Sequence, residues 1–431
     1  MAKEKLWEPG ARIVYDFHPP HSPGETYQGE PLPSPDGESV ATIVASDEGE
    51  FTISVNGQHW DTSYDNIWNL HFTPEGRVIG LVSSMGTWTL AIDGQIWPRE
   101  YEYIWQPEIG RSGEHVAAAV KVDGRYGMAV NGQDWDSLFP NATGFTATPE
   151  ADRTAAVVQT APLDQGDVET FKKGIFSVAV DGQAWPETFL NVWDPCFGPD
   201  GESVAATVRL TPSDYTIAVD GACWPGRYSM AWQPVFNPGD QSVVAPVRVG
   251  SSWGLARDDK LIWEPHFFQV WHQRISSDGE SIAAIVAPRF GEFTVAINGE
   301  PWKNTYAVVT DLVLSRDGQR AAAVGQSGLS ISLDEAALTS QQWQIIVNDH
   351  PWTGWYDRVF TPVISPDGRH TAARVEKNGA STILVDDKAY FRPFSKVWDP
   401  IFSPDSSKVL IRAMDGSKLV RIVAPFNDFR A

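Results

Sequence analysis

Apolar and polar residues alternate from Phe51 to Val55, pause at Asn56-Gly57 and resume toward a tryptophan, giving FTISVNGQHW with its end at Trp60. The pattern returns as LAIDGQIW ending at Trp97, MAVNGQDW at Trp135, SVAVDGQAW at Trp185, TIAVDGACW at Trp224 and TVAINGEPW at Trp302, with a looser copy, QIIVNDHPW, ending at Trp352. A period of two marks strands with unlike faces, and Asn-Gly or Asp-Gly between the arms tolerates positive φ at both turn positions, as a tight type I′ hairpin requires. Each copy predicts a β-hairpin. Its turn residue falls at Asn56, Asp93, Asn131, Asp181, Asp220, Asp258, Asn298, Asn348 and Asp386, so successive differences are 37, 38, 50, 39, 38, 40, 50 and 38. The chain repeats about every 38 residues, with two insertions.

A second marker lies between the hairpins: SPDG at Ser34, TPEG at Thr73, GPDG at Gly198, SSDG at Ser276, SRDG at Ser315 and SPDG at Ser365, with degenerate forms at Arg111, Thr148, Asn237 and Ser403. Proline presets φ at the second turn position and Asp and Gly complete the bend, so this too connects strands. One unit then reads strand, Pro-Asp-Gly turn, strand, variable loop, strand, Asn-Gly turn, strand, a four-stranded meander of the size of a propeller blade. The fold class is all-β. Residues 1–431 are expected to form a β-propeller of about ten blades. One large ring is the favoured arrangement, with two smaller propellers as the alternative, because no Gly/Ser/Pro linker splits the chain. A strand at about 11–17 should complete the last blade beside KVLIRAM and KLVRIVA. The insertions fall near 160–174 and 325–343, between the second and third strands of their blades.

Composition adds the tryptophans. Of 19, eight follow the Asn-Gly hairpins (Trp60, Trp97, Trp135, Trp185, Trp224, Trp263, Trp302, Trp352) and six precede the Pro-Asp-Gly turns (Trp68, Trp105, Trp193, Trp232, Trp271, Trp398). Period two puts Trp193, Pro195 and Phe197 on one strand face, and packing between blades is the expected role of all fourteen, since an indole buries a large apolar area. Trp7, Trp88, Trp253, Trp343 and Trp355 stand outside this register. Of these, Trp343, Trp355, Trp88 and Trp253 are the candidate partner-binding residues, because no packing rule demands them where they are.

The net charge of -22 repels phosphate backbones and anionic headgroups, which excludes nucleic acid as a partner class. No stretch has the roughly 20 apolar residues of a membrane helix and the start lacks a signal-peptide core, so direct membrane insertion is not expected and a cytoplasmic location is. The two cysteines, Cys196 and Cys223, read as structural.

No H-E-x-x-H, C-x-x-C, G-x-S-x-G, Walker or dinucleotide motif is present, so no catalytic, cofactor-binding or metal-binding residue is assigned and the protein is read as a non-enzyme without cofactors. His18 and His21 lie close in a Pro-rich stretch with no Cys or acidic neighbour, a poor metal site. Asp194 and Asp399 follow strand tryptophans and are the residues a glycosidase-type propeller would use.

The SPDG turns and aromatic-rich units resemble the WD-repeat-like propellers of the TolB type across nearly the whole chain. The tryptophan excess, acidic charge and size also resemble the tryptophan-rich cytoplasmic subunit of the transmembrane redox complex of sulfate-reducing bacteria. That resemblance implies membrane cytochrome b, an iron-sulfur protein and a periplasmic multihaem cytochrome as the complex's other members. It makes this chain an accessory or docking subunit, a protein-protein interaction scaffold at the membrane's cytoplasmic side. A small-ligand or carbohydrate-binding propeller is the alternative, and a propeller glycosidase a further one.

Overall fold

The computed structural model describes residues 6–17, 25–46, 48–162, 172, 174–326 and 342–430. His18, His21 and most of both insertions lie outside them. The described chain forms ten sheets, one per repeat, arranged as a propeller ring. In the fifth blade the inner strand Asn191–Phe197 pairs with Val204–Arg209, which pairs with Tyr215–Val219 and then Ala222–Cys223. The ring has no break at its middle. Thr207 of blade 5 donates its hydroxyl to the Trp232 carbonyl of blade 6 at 2.9 Å, and the Cys196 thiol meets the Pro234 carbonyl at 3.2 Å. Burial pushes that thiol's pKa up to about 12, which leaves it a packing group.

Closure joins the chain's two ends. Gly10–Asp16 is the outer strand of blade 10, antiparallel to Lys418–Pro425, while Phe429–Arg430 returns to pair with Lys388–Tyr390 of blade 9. Across the seam, Arg412 donates to the Ser34 carbonyl at 3.2 Å, and Arg421 donates to the Asp36 carbonyl at 2.8 Å and the Leu6 carbonyl at 2.5 Å. Arg421 also pairs with Glu38 at 3.1 Å. Arginines tie other seams in the same way, for example Arg77 to the Gly113 carbonyl and Arg153 to the Gly201 carbonyl.

Second and third strands are buried on both faces, as blades between neighbours must be, and alanines such as Ala117, Ala118 and Ala119 let the sheets approach. The hairpin tryptophans fill the wedge that remains toward the next blade. Trp135 packs among Ala117, Met128, Ala156 and Ala179 of blades 3 and 4, and its indole N–H donates to the Thr154 hydroxyl at 2.7 Å. Trp97, Trp185, Trp224, Trp263 and Trp352 are likewise buried.

The Asn/Asp of each hairpin does two jobs. Its φ lies near +50°, and its side-chain oxygen accepts the N–H that opens the second strand, as Asn131 does from Val116 at 2.9 Å and Asp220 from Val204 at 2.8 Å. In the Pro-Asp-Gly turns the serine hydroxyl donates to the aspartate, at 2.5 Å for Ser315–Asp317, Ser365–Asp367 and Ser403–Asp405. These bonds hold Asp317 and Asp367 below the usual carboxylate range, and the hydroxyls of Ser403 and Ser407 bring Asp405 to about 2. A depressed folded-state pKa stabilises above the unfolded value, near 4, and that stabilisation is lost as pH falls through the folded value. We therefore expect the melting temperature to fall steadily from about pH 4 to about pH 2, and Ser403→Ala to raise the pKa of Asp405 in an NMR titration. An unshifted Asp405 in that variant would discard the hydroxyl as the cause.

Candidate functional site

Each inner strand carries an irregularity in the same place. In blades 2, 3, 4, 5, 7 and 8 the register slips by a β-bulge, as between Trp193 and Cys196, and the residue after the tryptophan position has positive φ: Asn69, Gln106, Gly144, Asp194, His272 and Asp311 at 49–57°. In blades 1, 6, 9 and 10 the ladder breaks at the same point, beside Pro31, Pro234, Pro362 and Pro400. The extra residue overrides the period of two. Trp193 opposes Thr207 and Cys196 opposes Ala205, so these two share a face, while Phe197, opposite Val204, lies on the other.

The six inner-strand tryptophans are therefore not the buried packing residues that the alternation predicts. None is fully buried, and Trp68 and Trp232 are 48% and 42% exposed. They lie at the blade end away from the Pro-Asp-Gly turns, on the side where second strands loop to third strands. There five of the six meet an aromatic residue at the start of their blade's third strand: Trp68 with Trp88 at 4.8 Å, Trp105 with Tyr126 at 6.3 Å, Trp193 stacked on Tyr215 at 5.9 Å, Trp232 stacked on Trp253 at 5.4 Å and Trp271 against Phe293 at 5.6 Å, while Trp398 lies under the Lys396 ammonium at 5.0 Å. Tyr103 carries the contact across a seam, touching Trp68, Trp88 and Trp105. Such offset and edge-on rings are favoured over loose ones by their quadrupoles.

This arrangement re-sorts the four candidates. Trp88, Trp253 and Trp343 belong to a third-strand aromatic position also filled by Phe51, Tyr126, Phe176, Tyr215 and Phe293, each closing a bridge to the fourth-strand segment or packing on it. The signal was present in the sequence: Phe51, Trp88, Tyr126, Phe176, Tyr215, Phe293 and Trp343 each stand nine residues before their hairpin tryptophan. Trp253 is corrected outright. It is 4% exposed, sealed between Trp232 and Phe267, and the accessible ring of that pair is Trp232. Trp88 and Trp343 are half-buried supports. Trp355 remains outside any register and half-buried; the equivalent place elsewhere holds Ser63, Glu100, Leu138, Thr188, Arg227 or Thr305.

Between neighbouring inner strands run crevices. The one bounded by Trp193, Tyr215 and Trp232 has a volume of about 230 Å³, and one beside Trp232 and Trp271 about 310 Å³. At blade 1 the crevice opens to about 790 Å³. There Gly29 occupies the tryptophan position, with the same backbone bond, Gly29 N–H to the Ile43 carbonyl, that Trp398 makes to Arg412.

The bulge residues supply the polar groups. Asp194 and Asp399 stand five blades apart in a ring of ten, on opposite sides, and the structure does not bring them together as an acid pair. Partial burial raises Asp194, while Asp399 is paired with Arg374 at 3.1 Å. Desolvation, then the Arg274 charge 2.8 Å away, keeps His272 neutral-leaning. Among the described residues no group of three or more His, Cys, Asp or Glu is placed to hold a metal ion, and no helix is long and apolar enough to cross a membrane.

No family profile and no curated protein matches the chain. Among solved structures it is similar to a eukaryotic initiation factor, at 12% identity and a TM-score of 0.47 over 84% of this chain and 96% of that one. It is also similar to the Dos1 propeller, at 10% and 0.35 over 97% and 96%. A third is the β-propeller domain of the Trilobed protease from Pyrococcus furiosus, at 13% and 0.29 over 65% and 95%. All three likenesses fall below a TM-score of 0.5, and the propeller assignment stands on the ten sheets and their pairing.

Proposed function

We propose that the protein is a non-catalytic protein-protein interaction scaffold that presents the loop side of its inner strands to a partner. The observation that carries this reading is the set of half-exposed, backed tryptophans, led by Trp68 and Trp232. An exposed indole held against a second ring, stacked as in Trp232 or tilted as in Trp68, has lost rotamer freedom before binding, which is how aromatic residues become binding hot spots. The finer reading is an accessory or docking subunit on the cytoplasmic side of a membrane-associated electron-transfer complex, with membrane cytochrome b and iron-sulfur subunits as partners. The tryptophan-rich, acidic composition supports it, and a chain without C-x-x-C motifs would dock such subunits rather than carry their cofactors.

Affinity purification of the tagged protein from its host in gentle detergent, followed by mass spectrometry, tests both levels. Redox subunits recovered in fixed proportion, and lost from a Trp68→Ala/Trp232→Ala double variant that melts normally, is the expected result. Recovery of the chain alone would discard the scaffold reading; recovery of unrelated soluble proteins would discard only the redox complex. The second reading, a small-ligand or carbohydrate binder, is favoured by one observation, the enlarged crevice beside Gly29.

A further inference from the structure

We propose that the crevice at Gly29 is a receptor for an aromatic side chain, an indole or phenol ring, carried by a protein partner; the inference rests on the scaffold reading above. The inner-strand position that Gly29 holds is tryptophan in six blades and phenylalanine, Phe360, in a seventh. Where an indole fills it beside another, the crevices are about 230 and 310 Å³; where Gly29 stands, it is about 790 Å³, within the range of pockets that enclose ligands. The surroundings that the repeat provides for an indole are nevertheless in place. Phe51 occupies the third-strand position on which Trp193 and Trp232 find their stacking partners, and it lines the crevice with Ile43. Trp398 of blade 10 and Trp68 of blade 2 form the flanking walls.

Gly29 is not there for its backbone freedom. Its φ lies outside the left-handed region, and a Cβ would meet the Ile43 carbonyl oxygen at 3.1 Å and the Ile43 Cβ at 3.5 Å, so a side chain there asks the Ile43 backbone to give by a few tenths of an ångström. The vacancy is therefore one of side chain only, shaped by its neighbours to hold a flat ring. At its mouth Lys396 pairs with Glu30 and lies over the Trp398 ring at 5.0 Å. This ion pair gives the crevice a polar rim able to take the hydrogen bonds of an incoming indole N–H or phenol hydroxyl, or of the backbone that carries the ring. With a net charge of -22 around it, a partner segment bearing the aromatic residue amid basic ones is the complementary one.

The test uses 5-fluoroindole as probe and ¹⁹F NMR of the full chain as readout, with cellobiose titrated in parallel. Saturable binding to the natural protein is expected, and binding weaker by at least about tenfold in Gly29→Trp, which fills the crevice from within. Trp398→Ala, which removes a wall while leaving Gly29 alone, should weaken it similarly and guards against a misfolded Gly29→Trp. No saturable binding, undiminished binding in both variants, or binding of cellobiose in place of the indole would each overturn the proposal. In the affinity purification, loss of the partners from Gly29→Trp supports the receptor. Their retention overturns it and leaves the scaffold reading standing.

Discussion

Trp135→Ala will lower the stability of the ring by about 3–5 kcal/mol in denaturant titration, while Trp232→Ala will cost only about 1 kcal/mol. Both residues are indoles at repeated positions, and the difference lies in what surrounds them. Trp135 is wedged between two sheets with its N–H bonded to Thr154, so its loss leaves a cavity and takes away the donor to the Thr154 hydroxyl, which keeps only its 3.5 Å bond to Asp181. Trp232 rests one face on Trp253 and leaves 42% of itself in solvent, so alanine there forfeits one stacking contact and opens no cavity. Equal losses from the two variants would return the inner-strand tryptophans to a structural role and remove the main support for the binding surface.

Arg421→Ala will cost about 3 kcal/mol and will do so locally, with hydrogen-exchange protection lost first in Gly10–Asp16 and Val40–Ser46. The guanidinium is nearly buried, donates to two carbonyls and faces Glu38, so removing it strands both carbonyls at the seam between blades 10 and 1 and leaves Glu38 to Arg12 alone. Arg77→Ala, which frees the single carbonyl of Gly113 at an internal seam, should cost about 1 kcal/mol. At internal seams the chain runs directly from the outer strand of one blade into the next. At the closing seam it reaches blade 1 only from Gly10–Asp16, which is held to blade 10 by ladder hydrogen bonds and the Lys418–Asp16 ion pair and not by a chain connection. Protection lost uniformly around the ring would show that the seam is no weaker than the rest.

The site was legible in part. Ten turns gave ten blades, and the hairpin tryptophans, six of the eight fully buried, were readable as packing residues because each stands four or five residues after its turn Asn or Asp. The third-strand aromatic position was equally regular, yet its occupants change among Phe, Tyr, Trp and, at Ser381, serine, so a search keyed to tryptophan misplaced Trp88, Trp253 and Trp343 as irregular. The inner-strand bulge was not legible. Its residues, Asn69, Gln106, Asp194 and His272, share a backbone conformation and no side-chain chemistry, and alternation counted through an extra residue assigns Phe197 to the wrong face.

What the sequence determined by itself was the turn chemistry, strand order and period of the blades, because these depend on residues close together in the chain and on φ values that few side chains tolerate. The tertiary structure alone decided between one ring and two, the exposure of Trp68 and Trp232, the burial of Trp253 and the enlarged crevice at Gly29. Each of these depends on which blade stands beside which, and a missing side chain becomes a cavity only when its neighbours are fixed around it.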